Sequence, residues 1–398
     1  MLDPAIADLP RFALGTLLPL CRDHFADTVH GGFHEQLDPA HRPVPVAGKR
    51  LMVQCRQLYV LSHGALLGER SGTVAAERGY AFLQRAYRDR THGGWYFRAT
   101  PDGTPMDRGK DLYGHAFLLF ALAYLHRAFA APDAIALAAD TFDVLSRKLA
   151  TPNGGFWDGA DEIWAPQTGL RRQNPHMHLL EALLALHEAT GEQRWLDESA
   201  RLVRLLLERF YDPATGTLGE SFGADWAPDA ERGHIIEAGH HYEWVWLLHR
   251  YQIQSGDTRA DVAADALFAT AERHGFDPEH GGLHDHINRT GTPLTMTRRI
   301  WPVTEAIKAQ IARIEAGRPV VAGQPDRLIR HLFADFLRPA RHGWIETLTR
   351  EGAPMQTTLP GSTPYHLFLA AAEVARVLPA AGQPRRYAMP LPTARRRR

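Results

Sequence analysis

The segment HGGFHE at His30–Glu35 is the first of six short Gly-containing turns, and their recurrence decides the fold. The others read HGGWYF at His92–Phe97, NGGFWD at Asn153–Asp158, TGTLGES at Thr215–Ser221, HGGLHDH at His280–His286 and HGWIET at His342–Thr347. Successive copies begin 61 to 65 residues apart. A fixed period of this size marks a repeat architecture. Each turn leads into an aromatic or aliphatic residue and then a polar one, the pattern of a tight turn opening a short strand.

The intervals between turns read as pairs of helices. The pairs are Lys49–Arg70 with Thr73–Arg88, Asp111–Phe129 with Asp133–Leu149, Gln173–Thr190 with Glu192–Phe210, His234–Tyr251 with Thr258–His274, and Arg298–Glu315 with Pro325–Leu337. Ser362–Val377 has no helix after it, so its partner is the first helix of the chain, Ile6–Phe25. A helical hairpin cannot bury its apolar face alone, and stacked neighbours must share it. The expected fold is all-α: an (α/α)6 barrel of twelve helices, six inside and six outside, with short β-hairpins in the connecting turns. An open solenoid is the rival. It needs polar capping repeats, which are not evident, but the period alone does not prove closure.

The uniform repeat argues for one domain, residues 1–378, followed by a basic tail, 379–398, ending in Arg395–Arg398. The chain has 398 residues, 44% of them hydrophobic, so a large core is available. Lys plus Arg equals Asp plus Glu at 45 each, which gives no electrostatic ground for a nucleic acid or an acidic membrane as partner. Two cysteines, Cys21 and Cys55, cannot build a disulfide framework. With no signal-peptide pattern and no long apolar run, a cytoplasmic protein is expected.

Polar residues gather near the start of each helix that follows a turn. They are Arg56; Asp111, Tyr113 and His115; Asn174, His176 and His178; His240, His241 and Glu243; Trp301 and Glu305; Tyr365 and His366. If these six helices line the barrel, the polar ends converge on one mouth, the default place for an active site. Helical spacing puts His240 with Glu243, Asn174 with His178 and Trp301 with Glu305 on shared faces. The alternative is a set of satisfied core networks, and with 22 histidines several are incidental. His284 with His286 and His176 with His178 have the look of metal-ligand pairs, but residues two apart on a helix diverge. No metal is expected. No phosphate-cradling loop, dinucleotide fingerprint or GxSxG elbow is present, so no nucleotide cofactor is expected either.

The segments KRLMVQCRQLYVL (Lys49–Leu61), DLYGHAFL (Asp111–Leu118), NPHMHLLEALL (Asn174–Leu184), EAGHHYEWVWLL (Glu237–Leu248), WPVTEA (Trp301–Ala306) and TPYH (Thr363–His366) together resemble the N-acylglucosamine 2-epimerase family, which includes cellobiose 2-epimerases and mannose isomerases. The resemblance spans about residues 10 to 378. It implies an (α/α)6 barrel and cofactor-free, metal-free chemistry on an open-chain aldose. It implies His240 and His366 as catalytic histidines, with Glu243 and Glu305 as the carboxylates that orient and tune them. Arg56 would hold the O1–O2 side of the sugar; His178 would be a third pocket histidine; Tyr113, Asn174 and Trp301 would contact substrate. Such chemistry needs a base near neutral pKa for the proton beside the carbonyl, and a fixed cation for the enediolate oxygen.

Met52, one turn before Arg56, stands where an aromatic is usual, and Ser362 stands where a larger polar residue is expected. GHHYEW, with Trp244 after Glu243, is nearer the isomerase form. The expected activity is interconversion of D-mannose and D-fructose, with a sugar 2-epimerase of the N-acylglucosamine, mannose/glucose or cellobiose type as the alternative. A glycoside hydrolase using Glu243 and Glu305, or a non-catalytic toroidal scaffold, remains open on fold grounds. The expected partner is a monosaccharide; a homodimer is left open.

Overall fold

A computed structural model describes residues 4–321, 323–340 and 343–377. The C-terminal basic tail and His342, which opens the sixth turn, lie outside the described residues. The described residues form twelve helices. Helix α1 is a run of short pieces from Pro4–Ala7 to Cys21–Phe25, two of them π-helical. Then come α2 (Leu51–Leu66), α3 (Thr73–Ala86), α4 (Leu112–Phe129), α5 (Ala134–Lys148) and α6 (Gln173–Thr190). Helix α7 is Gln193–Leu205 continued by Leu206–Phe210; α8 is Ala238–Ser255, α9 Asp261–His274 and α10 Trp301–Glu315. Helix α11 is Gln324–His331 continued by Leu332–Leu337, and α12 is Pro364–Val377.

The even-numbered helices are buried on nearly every side, whereas the odd-numbered ones bury one stripe. In α3 the stripe is Ala76, Gly79, Phe82, Leu83 and Ala86, the helical repeat of a surface helix. The buried helices form a closed ring: α2 packs on α4, α4 on α6, α6 on α8, α8 on α10, α10 on α12, and α12 back on α2. The period left an open solenoid possible; the contact of α12 with α2 excludes it.

The strands stitch the same ring. The two residues before an inner helix pair antiparallel with the two that follow the next Gly turn: Lys49–Arg50 with Arg98–Ala99, Lys110–Asp111 with Gly159–Ala160, Arg171–Arg172 with Ser221–Phe222. Ile235–Ile236 with His286–Asn288 and Arg298–Arg299 with Thr347–Leu348 continue the pattern. The last stitch joins the ends of the chain, Gln36 opposite Pro360 and Leu37 opposite Leu359.

Three of the histidines placed by sequence at the mouth have another task. In four of the turns the backbone N–H that follows the Gly-Gly or Gly-Thr step is buried and needs an acceptor. His115 Nε2 accepts from Trp95 N at 3.0 Å, His176 Nε2 from Phe156 N at 2.9 Å and His241 Nε2 from Leu218 N at 3.1 Å. The other ring nitrogen lies 2.7 to 3.1 Å from the carbonyl four residues back, of Asp111, Arg172 and Glu237. Both nitrogens are spent on backbone, which fixes the neutral Nδ1–H form. Burial holds each imidazole down at about 4. In α2 the same position is Gln54, whose Oε1 accepts from Phe33 N at 2.7 Å. The close approach is also why Gly155 is glycine: its φ is +67°, and a Cβ there would lie 2.9 Å from His176 Nε2.

Candidate active site

The N-terminal ends of the inner helices surround a cavity of about 250 Å³. Arg56, Tyr113, Asn174, His178, His240, Glu243, Trp301 and His366 all line it, together with Met52 and Ser362. Glu305 stands one layer behind. Glu237, Arg299, Glu346 and Thr363 complete the wall and were not anticipated.

Trp301 is the centre of the arrangement. Its ring lies 5.0 Å from that of His240 and 5.7 Å from that of His366, centroid to centroid. Gly239 makes room for it, since a Cβ there would come within 2.5 Å of the indole.

Each of these two histidines is held by a carboxylate at Nδ1. His366 Nδ1 is 2.8 Å from Glu305 Oε1. His240 Nδ1 is 2.9 Å from Glu220 Oε2, and the Asn174 side-chain amide is 3.0 Å from its Nε2, an amide whose otherwise unpartnered oxygen accepts from the ring once it is charged. Glu243 was expected to orient a histidine, but Glu220 does so for His240. Glu243 itself is buried, with neither oxygen hydrogen-bonded among the described residues and Oε1 3.9 Å from His178 Nδ1. His178 Nδ1 is instead 3.0 Å from Glu181 Oε2, and the Tyr365 hydroxyl donates to Glu181 at 2.6 Å.

The two histidines carry opposite charge states. Burial pushes His366 down to about 3, beyond what its bond to Glu305 restores, with the Arg56 guanidinium adding to the depression. Burial also opposes charge on His240, but Glu220 and Glu237 outweigh it and raise the imidazole to about 9. At neutral pH one ring is a free base and the other an imidazolium. The carboxylates are divided too. Burial and the charge of Glu305 push Glu243 well above the usual range, whereas Lys308 and His366 overcome burial and hold Glu305 below it. Pairs of titratable groups driven apart in this way mark acid and base assignments.

Arg56 is fixed as a cation at the cavity wall. It donates to the Tyr113 hydroxyl at 2.7 Å and the Ser362 carbonyl at 3.1 Å, and stacks over Phe117 and Tyr365. Such a group can stabilise a developing oxyanion. As for metals, His176 is committed to backbone at both nitrogens. His284 and His286 do not belong to any ligand cluster among the described residues. Glu243, Glu305 and His366 bring ligand atoms within 4.8 Å of one another, but Lys308 Nζ already sits 2.5 Å from Glu305 Oε2.

A family model described as N-acylglucosamine 2-epimerase matches residues 31–370. The chain belongs to the N-acylglucosamine 2-epimerase family. It is similar to a mannose-6-phosphate isomerase of Rhizobium meliloti (strain 1021), 34% identical over 366 residues, covering 90% of this chain and 93% of the relative. A D-mannose isomerase of Thermobifida fusca is 30% identical over 306 residues, 71% of this chain and 73% of that one. Among solved structures, the cellobiose 2-epimerase from Spirochaeta thermophila superimposes with a TM-score of 0.82 at 27% identity, over 93% of this chain and 96% of that one. The protein is thus a sugar isomerase or epimerase of the N-acylglucosamine 2-epimerase family.

Glu220 and Glu346 were missed although a signal existed. Five of the six turns carry an acid immediately before the short strand that follows: Glu35, Asp158, Glu220, Asp285 and Glu346. Each reaches the entrance of an inner helix. Glu35 pairs with Arg50, Asp158 with Arg172 and Asp285 with Arg299. Glu346 accepts from the Thr363 hydroxyl, and Glu220 takes His240.

Proposed function

We propose that this protein interconverts D-mannose and D-fructose through an enediol(ate), with His366 as base and His240 as acid. The observation that carries the reading is geometric: His240 and His366 both lie against the Trp301 ring, each with Nδ1 held by its own carboxylate. His366 gives Nδ1–H to Glu305, so its Nε2 lone pair faces the cavity. It takes the C2 proton of the open-chain aldose. The C2–H electrons form the C1=C2 bond while the carbonyl electrons move to O1, which takes a proton from the His240 imidazolium. Arg56 stabilises the oxygen charge as it develops. Transfer of the proton from His366 to C1, with the C1=C2 electrons forming the C1–H bond and the O2 proton passing to the now neutral His240 as the C2 carbonyl forms, gives the ketose and restores both histidines.

A free sugar fits the walls better than a phosphorylated one. Arg299 is already neutralised by Asp285 and Glu237, at 2.7 and 2.8 Å. Glu237, Glu243 and Glu346 line the same cavity. A phosphate dianion there would face the Glu237 carboxylate, and Arg299 has no charge to spare for it. A 2-epimerase reading has one observation in its favour: the histidines lie against the same Trp301, so two bases could serve opposite faces of C2. Incubation with mannose, mannose 6-phosphate, N-acetylglucosamine and cellobiose, with chromatography of the products, tests the assignment. Fructose from mannose is expected; turnover of another sugar alone would overturn it.

A further inference from the structure

We propose that Lys308, which does not line the cavity, is a positioning residue that gives the proton-accepting role to His366 and leaves the proton-donating one to His240. This rests on the isomerase reading above.

The two histidines look alike at their first partner, a carboxylate 2.8 or 2.9 Å from Nδ1. They differ at the second. Behind Glu220 stand neutral donors, the Gln173 amide at 2.8 Å and the Glu237 backbone N–H at 3.4 Å. Behind Glu305 stands the Lys308 ammonium, 2.5 Å from Oε2 and wholly buried. Its Nζ also lies 4.2 Å from the centroid of the Trp246 ring, and the buried carboxyl groups of Glu243 and Glu181 act on it as well. A buried ammonium is costly unless paired, and Glu305 is the carboxylate in contact with it, a charge pair whose two atoms do not meet hydrogen-bond geometry.

The charged and titratable groups around His366 are Glu305 and Lys308 of α10, Glu243 of α8, Arg56 of α2, Glu346 at the cavity wall and Tyr365 on its own helix. Glu243 and Glu305 are too close for both to ionise without a cation. Lys308 is three residues from Glu305 on the same helix face, so its charge keeps Glu305 the anion and leaves the proton on Glu243. The ionised Glu305 accepts Nδ1–H and fixes the tautomer of His366. Because Lys308 cancels that carboxylate's charge, Glu305 orients the ring without driving it to imidazolium. Without Lys308, the uncancelled charge of Glu305 would draw His366 toward protonation against burial and the Arg56 charge, and the difference between the two rings would narrow.

The test uses the full chain. Lys308→Met should lower kcat for mannose on the acid side of neutrality, with KM changed by less than about twofold. The acid limb of its pH–rate profile should move up by at least about one pH unit. Lys308→Arg, which keeps the charge, should leave the limb in place. An even loss of rate at all pH values, with the limb unmoved in Lys308→Met, would overturn the proposal. If Lys308→Met does not fold, 15N NMR of the histidines in the unmodified protein decides, with His366→Gln assigning the resonance. At pH 7 His366 should be the neutral Nδ1–H tautomer and His240 doubly protonated; equal states in the two rings would contradict the role given to Lys308. If the unmodified protein turns over neither mannose nor fructose, the isomerase reading fails, while the NMR comparison still judges Lys308.

Discussion

Trp301 lies against both His240 and His366, with ring centroids 5.0 and 5.7 Å away. One indole therefore sets the positions of two imidazoles that come from different helices, α8 and α12. In the proposed reaction the substrate carbons that exchange a proton pass beside this aromatic wall, within reach of both rings.

Replacing His240 or His366 by Asn should lower turnover by roughly two to four orders of magnitude, the scale of positioned proton transfer. Circular dichroism should be unchanged. Near-normal rates in both variants, with intact folding, would remove them from the mechanism.

The acid's charge state sets an alkaline limit. His240 is raised to about 9, so it stays protonated through neutrality and loses its proton as pH rises through that value. The rate should fall on the alkaline side near pH 9. Glu220→Gln removes a carboxylate that raises His240, so the alkaline limb should move to lower pH. A limb that stays put in this variant would show that Glu220 does not tune the acid.

The three turn-pinning histidines predict acid lability. His115, His176 and His241 are depressed to about 4 by burial. In the unfolded chain they titrate near 6.5. Between these values the unfolded state binds protons that the folded state refuses, so their stability contribution is full above about 6.5 and declines as pH falls toward 4. Urea midpoints should drop from pH 7 to pH 5. His176→Gln, which copies Gln54, should fold and flatten that slope. His176→Leu orphans the Phe156 N–H and should cost about 1–3 kcal/mol more than the Gln variant.

Activity should survive exhaustive dialysis against a strong chelator, because Lys308 and His366 already occupy both oxygens of Glu305. Loss of activity restored by a divalent ion would contradict this.

The ring was legible because its punctuation is periodic: glycine pairs such as Gly31–Gly32 and Gly281–Gly282 adopt positive φ, and few other residues substitute there. The inner helices were legible from the polar residues at their starts. What a one-dimensional reading could not separate was His176 from His178, two residues apart on one helix. One faces a turn N–H and the other the cavity, and only the rotation of α6 about its axis decides which. Glu220 lay inside a motif read for its glycines, and its acid was not compared across the repeats. Lys308 was not singled out in the sequence; its burial exists only once α10 is enclosed by its neighbours.

The central claim is that one base, His366, carries the proton from C2 to C1. NMR of the products formed from C2-deuterated mannose in ordinary water tests it most directly. Fructose should be the main product, with part of the deuterium found at C1. Glucose appearing first, with fructose at trace level and the deuterium lost to solvent, would contradict the account and establish two-base epimerisation in its place.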